Sequence, residues 1–319
     1  MTTTYRGNGP RTGPREIGPE ELLVILGPDD HHRGADIPDD VRRVRAARSV
    51  FPDGEQLVSV PEPELIEGRH VLIAQTTAPP QDSRMITACQ LATTATAAGA
   101  ATVTCFLPYL CYQRQDRVDS PGQALSGSLV LRLLRGAGAD TVLTVDRHSA
   151  PPWDGQPGMP DVVNLSSTGP VAELLKEPLD HVVATDRGGA DRAARLSEAL
   201  GVRTVVLDKL KSPARGTYYE ALPEQLRNSS ALVVDDVCTS GSTIRPLCAD
   251  LAAMGVRLTV FITHVVPTTK GRISAIDGVD RFLCSDSCGD PTAPVRLMPL
   301  ALTEWISILT RNTRLSGGG

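Results

Sequence analysis

The sequence predicts an α/β fold of two tandem domains with mostly parallel sheets flanked by helices. Three observations predict it. Short apolar runs alternate with stretches of helical period along most of the chain. The alternation repeats, over 71–148 and again over 182–264. Polar clusters fall at the ends of the apolar runs, where open α/β sheets bind their ligands. A chain of 319 residues is long enough for two domains of ordinary size. Aromatic residues make up only 3% of it against 41% apolar, so the cores should be aliphatic.

The elements follow in order. Met1 to Glu20 is rich in Thr, Gly, Pro and Arg and is expected to be disordered, as is the tail from Ser316. Val71–Ala74 reads as a strand, Ser83–Ala98 as a helix stopped by Gly99, and Thr102–Pro108 as a strand. Leu125–Gly136 is a helix and Asp140–Val145 a strand. After the Pro/Gly-rich stretch Ala150–Pro160, Val171–Leu175 is helical and His181–Thr185 a strand. Ala190–Leu200 is a helix closed by Gly201, and Arg203–Asp208 and Leu232–Asp235 are strands. Ser242–Met254 is a helix stopped by Gly255, and Arg257–His264 a strand. The expected domains are 21–155 and 156–319, with a C-terminal helix able to pack back on the first.

Bulk properties exclude several classes. A net charge of −5 argues against a nucleic-acid binder held by charge. The seven cysteines form no Cys-x-x-Cys pair and sit mostly in apolar runs, which suits reduced thiols; Cys284 and Cys288 lack further ligands for zinc. No signal peptide or membrane-length apolar run is found, so a cytoplasmic protein is expected.

The most informative segment is Ala231–Ile244. An apolar run ends in Asp235 and Asp236, the turn Thr239, Ser240, Gly241, Ser242, Thr243 follows, and a helix begins. Helix N-terminal N–H groups and hydroxyls suit a phosphate; the two carboxylates suit sugar hydroxyls or a metal. An ordinary Ser/Thr-capped connection would explain the turn but not two adjacent acids at a strand end. Arg114, Gln115, Asp116 and Arg117 combine forks, an amide and a carboxylate at another strand end, fitting a nucleotide or a solvated loop. Asp146-Arg147-His148 offers a metal or phosphate ligand in His148, or a structural histidine. Asp186 precedes Gly188-Gly189 and a helix, and can ligate a cation; a metal shared with His148 would sit between the domains. Lys209 and Lys211, one residue apart on an extended segment, point the same way and could reach one phosphoryl group; the alternative is a solvated loop. Phe51 to Glu55 is a turn signal. The acidic, His-bearing run over 28–41 reads as a solvated loop in preference to a metal site.

Together these motifs resemble the ribose-phosphate pyrophosphokinase (phosphoribosyl pyrophosphate synthetase) family over about residues 49–310. Phe51 to Glu55 looks like its adenine-binding turn, and Gln75-Thr76-Thr77 with Asp82 like its Gln-Ser-Thr segment. Tyr112 to Arg117 is similar to Tyr-Ala-Arg-Gln-Asp-Arg, Asp146 to His148 to Asp-Leu-His, and Asp186 to Gly189 to Asp-x-Gly-Gly. Lys209 to Lys211 stands at the Lys-x-Arg of a catalytic flexible loop, and Asp235 to Thr243 at the phosphoribosyl-binding loop. The resemblance implies two tandem type I phosphoribosyltransferase-like domains and a transferase activity, ATP plus ribose 5-phosphate giving AMP plus phosphoribosyl pyrophosphate, for nucleotide biosynthesis. It implies ATP held by Phe51, Asp53, Gly54, Glu55, Arg114, Gln115 and Asp116, with the turn reaching in from a neighbouring subunit. Mg²⁺ would be placed by His148 and Asp186, and ribose 5-phosphate seated by Asp235, Asp236 and Thr239, Ser240, Gly241, Ser242, Thr243. Lys209 and Lys211 would be catalytic, in a dimer-based homo-oligomer reaching up to a hexamer, with no nucleic acid or membrane partner. The chain departs from the pattern at Lys211, at Thr239 in place of an acid, at Val163, at Arg147 where an apolar residue is usual, and over residues 1–48. These departures leave two alternatives: transfer to a different sugar phosphate, or a non-catalytic regulatory homologue that binds a true synthetase.

Overall fold

The computed structural model describes residues 17–149, 151, 154–212, 216–219 and 221–316. Of the N-terminal stretch expected to be disordered, residues 1–16 lie outside this set, and Pro19–Glu21 forms a 3-10 turn. A first sheet is built from β1 (Leu22–Leu26), β2 (Arg42–Arg45), β5 (His70–Ala74), β6 (Thr102–Phe106), β7 (Thr141–Val145) and β8 (Asp161–Leu165). The antiparallel hairpin β3 (Ala47–Val50) and β4 (Gln56–Ser59) interrupts it, and α1 (Gln81–Ala97) and α2 (Ser126–Gly136) cross over between strands. A second sheet follows α3 (Thr168–Leu174). It contains β9 (His181–Ala184), β10 (Arg203–Val206), β13 (Ser230–Cys238), β14 (Arg257–Val265) and β15 (Arg281–Cys284). Helices α4 (Ala190–Leu200) and α5 (Ile244–Ala253) connect these strands, the small hairpin β11 (Leu210–Ser212)/β12 (Gly216–Tyr218) leaves the sheet, and α6 (Met298–Ser316) ends the chain.

Both sheets are parallel throughout, in the orders β2-β1-β5-β6-β7-β8 and β10-β9-β13-β14-β15. Counted within each sheet, both run second, first, third, fourth, fifth, and the first sheet adds a sixth strand, β8, at that edge. The internal repeat is therefore real, but its frame differs from the expected one. It starts at β1, so β13 answers to β5 and β14 to β6. The residues with no recognised strand, 1–48, hold β1: five consecutive apolar residues, all buried. A parallel strand covered on both faces needs such an unbroken run.

Alternating residues build two kinds of core. In β5, Leu72 and Ala74 face a central cluster while Val71 and Ile73 face α1 and α2; in β13, Leu232 and Val234 face the same central cluster while Ala231 and Val233 face α5. The central cluster thus joins the two sheets, and α6 seals it with Trp305, 0% exposed, and Leu309. Among the described residues no helix is long and apolar enough to cross a membrane.

The run over 28–41 is not the solvated loop expected. It forms a 3-10 segment, His31–Asp36, in which Arg33 is buried with Asp30. Arg33 Nε donates to Asp30 Oδ1 at 2.6 Å and Nη2 to the Asp286 carbonyl at 2.6 Å. Its Nη1 lies 2.6 Å from Asp286 Oδ2, an ion contact without a hydrogen-bonding angle. Burial opposes the guanidinium charge, but Asp30 and Asp286 outweigh it and hold the proton on more tightly than usual. The partner against which Arg33 is buried lies 253 residues away.

His264, at the end of β14, is a second tie between the halves. Its Nε2 sits 3.0 Å from the Val145 carbonyl, which can only accept, and Nδ1 lies 2.9 Å from Ser287 Oγ. Burial pushes its pKa down to about 4 against an opposing pull from Asp146. The unfolded chain, near 6.5, then binds the extra proton first, so this contribution is complete above pH 6.5 and is lost as pH falls towards 4. We expect urea unfolding to show stability falling by up to about 1.4 kcal/mol per pH unit across that window, a component missing in His264→Asn. A wild-type-minus-variant difference that does not change with pH would contradict this.

Candidate active site

β13 carries its apolar run through Asp235 and Asp236 to Cys238, so the paired acids lie on the strand rather than beyond it. Helix α5 starts at Ile244, after the turn 239–243. Gly241 has φ +77°, and a Cβ there would lie 2.9 Å from Ile273 Cδ1 and 3.0 Å from Arg245 Nε. The left-handed backbone favours glycine, and a side chain would also have to displace the ends of Ile273 and Arg245. In the first helical turn Arg245 N–H donates to the Gly241 carbonyl at 3.0 Å and Pro246 has no N–H, so the donors left to the loop are the hydroxyls and remaining N–H groups of 239–244. A cavity of about 510 Å³ opens here. Asp235, Asp236, Thr239, Gly241, Ser242 and Thr243 form one wall, and Arg114, His148, Asp186 and Lys209 the other. Ser240 is outside the wall; its Oγ accepts from Ser242 N at 3.4 Å.

Two pairs of charges in this cavity are already matched, His148 with Asp236 and Lys209 with Asp186. His148 Nδ1 lies 2.6 Å from Asp236 Oδ2, which bridges the two domains. That hydrogen bond raises the His148 pKa. Burial disfavours the Asp236 charge, but His148 and Arg192 outweigh it and keep the carboxyl below the usual range. Burial and the neighbouring Asp236 raise Asp235 instead. Asp186 Oδ1 accepts from Gly189 N at 3.2 Å, which caps the turn before α4, and Oδ2 lies 3.1 Å from Lys209 Nζ. His148 and Asp186, expected to meet between the domains, line the same cavity, and the residue expected to be catalytic, Lys209, holds the expected metal ligand.

A second cavity, of about 330 Å³, shares Arg114, His148, Val237 and Thr239 with the first and adds Tyr109, Gln115 and Arg147. Arg114 and Gln115 thus face a space adjoining the 239–243 loop. Asp116 does not line either cavity; its Oδ2 accepts from Ser149 Oγ at 2.6 Å. Phe51, Asp53, Gly54 and Glu55 form the tip of the β3–β4 hairpin, with Phe51 50% exposed. Gly54 and Glu55 border a separate groove of about 580 Å³, which touches the second cavity only at Asp82. Lys211 pairs with Thr217 between β11 and β12, and its side chain lies outside the described residues. Sequence reasoning missed Gln113 and the burial of Arg147. Gln113 stood inside a motif already singled out, and its neighbour at 114 drew the argument.

The N-terminal domain of ribose phosphate pyrophosphokinase matches residues 38–138, and a phosphoribosyl transferase domain matches 172–296. The ribose-phosphate pyrophosphokinase of Saccharolobus solfataricus is 30% identical over 205 residues, covering 63% of this chain and 69% of that one. The Pyrococcus abyssi protein of the same name is 27% identical over 289 residues, 90% of this chain and 97% of the other. The Chlorobaculum tepidum one is 33% identical over 221 residues, 68% and 67% respectively. The fold is that of the phosphoribosylpyrophosphate synthetase from Mycobacterium smegmatis, with a TM-score of 0.73 at 19% identity over 91% of this chain and 99% of that one.

Proposed function

Because the chain belongs to the ribose-phosphate pyrophosphokinase family, we propose that it transfers the diphosphoryl group of ATP to the anomeric hydroxyl of ribose 5-phosphate, giving phosphoribosyl pyrophosphate and AMP. One observation carries the reading: the cavity faced by Arg114 and Gln115 and the cavity at loop 239–243 adjoin across Arg114, His148 and Thr239. Two substrates seated there would have their reacting ends together. Such proximity supplies much of the barrier lowering in a transfer that needs alignment more than covalent chemistry.

The 5-phosphate is held by the N–H groups and hydroxyls of residues 239–243, and the ring hydroxyls by Asp235 and Asp236. Arg114 and Gln115 hold the nucleotide. The anomeric oxygen attacks the β-phosphorus, the bond from that phosphorus to the α–β bridging oxygen breaks, and AMP leaves with that oxygen. Lys209, and by position Lys211, neutralise charge on the transferred group. His148 and Asp186 fit a divalent cation of the Mg²⁺ kind. Among the described residues no group of three His, Cys, Asp or Glu side chains makes a closed cage, and Mg²⁺ is usually held by one or two carboxylates, here Asp186, with waters and substrate phosphate completing its shell. When bound it would supply charge neutralisation to the transferred phosphates. Exposed Val50 (65%), Phe51 (50%), Leu57 (50%) and Ile86 (47%) around the β3–β4 hairpin support a homo-oligomer in which this edge meets a second copy.

Incubation with ATP, Mg²⁺ and ribose 5-phosphate is expected to release AMP, and chelation of the cation to stop it. A panel of sugar phosphates should show ribose 5-phosphate preferred. No AMP at high enzyme concentration would end the proposal.

A further inference from the structure

Arg147 is a guanidinium in the middle of the strand-end tip Asp146–His148, and its side chain is 3% exposed. Its Nε donates to Gln113 Oε1, and its Nη1 lies 2.6 Å from Asp154 Oδ2. Its own backbone N–H donates to Asn164 Oδ1 at 2.9 Å. Gln113, itself 6% exposed, immediately precedes Arg114 and Gln115. The segment it belongs to is under local strain. Tyr112 has φ +62°, a left-handed backbone that aromatic residues rarely adopt. Such a conformation persists only where its surroundings enforce it. Here they do so on both sides: the Tyr112 hydroxyl donates to Asp82, and Gln113 is fixed by Arg147. The tie from Ser149 to Asp116 joins the same two segments a second time. On the other flank of Arg147, His148 reaches across to Asp236.

We propose that Arg147 is a positioning residue that registers the nucleotide-facing loop 112–116 against the His148 tip, and so sets affinity for ATP separately from affinity for the sugar phosphate. The inference rests on the proposed reading of the two cavities. Arg147 and Gln113 belong to the wall of the second cavity and not of the first. The phosphate loop 239–243 is built by β13 and α5, and Gly241 is fixed there by its own neighbours. Releasing the clamp leaves that loop as it was. It frees the segment carrying Arg114 and Gln115, which ATP binding must then order. An arginine is needed because one planar fork spans Gln113 and Asp154 together; a lysine offers a point charge that can serve only one of them.

The test is calorimetric binding of the α,β-methylene analogue of ATP with Mg²⁺, and of ribose 5-phosphate, to wild type, Arg147→Lys, Gln113→Ala and Gln113→Glu. Gln113→Ala keeps the Arg147–Asp154 pair, so it guards against loss of the fold in Arg147 variants. We expect the analogue to bind about tenfold more weakly to Gln113→Ala and Arg147→Lys, with ribose 5-phosphate affinity held within about twofold. Gln113→Glu, which gives Arg147 an ionised acceptor, should restore analogue binding to within about threefold of wild type. Equal loss of both ligands, or loss of neither, would overturn the clamp. Wild-type AMP release is measured alongside. If it occurs and the split is absent, the clamp alone fails. If wild type neither binds the analogue nor releases AMP, the reading beneath it fails and takes the clamp with it.

Discussion

Lys209→Ala is expected to lower kcat for AMP release by about 10²- to 10³-fold, the usual consequence of removing one fixed cationic or hydrogen-bonding group from a developing anion. Lys209 is only 18% exposed on its side chain and lines the cavity at the 239–243 loop. The 239–243 loop does not depend on it, so KM for ribose 5-phosphate should stay within about twofold. The ion pair with Asp186 adds a second readout. With the ammonium gone, Asp186 is no longer neutralised at 3.1 Å, and cation binding measured by calorimetry should tighten. The pair is partly solvated, so its loss should cost only about 0–1 kcal/mol of stability. A kcat within about threefold of wild type would remove Lys209 from the chemistry.

Asp286→Ala should destabilise the protein by about 3–5 kcal/mol, because it strands Arg33 as a buried charge with one partner fewer. Both Arg33 and Asp286 are 0% exposed, and Asp30 alone cannot satisfy a fork that also spans to the second domain. Arg33→Ala should cost a similar amount, and the double variant much less than the sum, since the second change removes a group already stranded. Replacing Asp30, Arg33 and Asp286 together by apolar residues of similar volume should cost less than either single change. Urea unfolding of the four variants measures this; additive losses would show that the three groups do not act as one network. The partly solvated pair Arg296–Asp36 nearby, at 2.8 Å, should contribute less.

Much of the scaffold was legible along the chain because each signal is local. Ala190–Leu200 has the bounds read from the sequence, since Gly201 at φ +69° stops the helix where the pattern does. β14 and α2 likewise agree within a residue or two. The Leu22–Leu26 strand carried its signal in the open, an unbroken buried run ending at Gly27, but the expectation of a different opening segment hid it. β13 outran its apolar stretch because Asp235 and Val237 pair with Ile262 and His264 on β14, and a ladder partner can hold polar residues in a strand.

The sequence by itself determined the α/β class, the strand–turn–helix at 235–244 and the residue types in its turn, because periodicity, turn chemistry and helix ends are written in neighbouring residues; it did not place β8, which follows the expected boundary at 155/156 yet pairs with β7 in the first sheet. Only the tertiary structure decided which charges are free to act. It placed His148 on Asp236, Lys209 on Asp186, Asp116 on Ser149, Arg147 on Gln113 and Arg33 on Asp286. Each of these partners is 23 to 253 residues distant in sequence. The energy of a charge depends on its solvation and its nearest opposite charge, and both are set by how the chain folds back on itself.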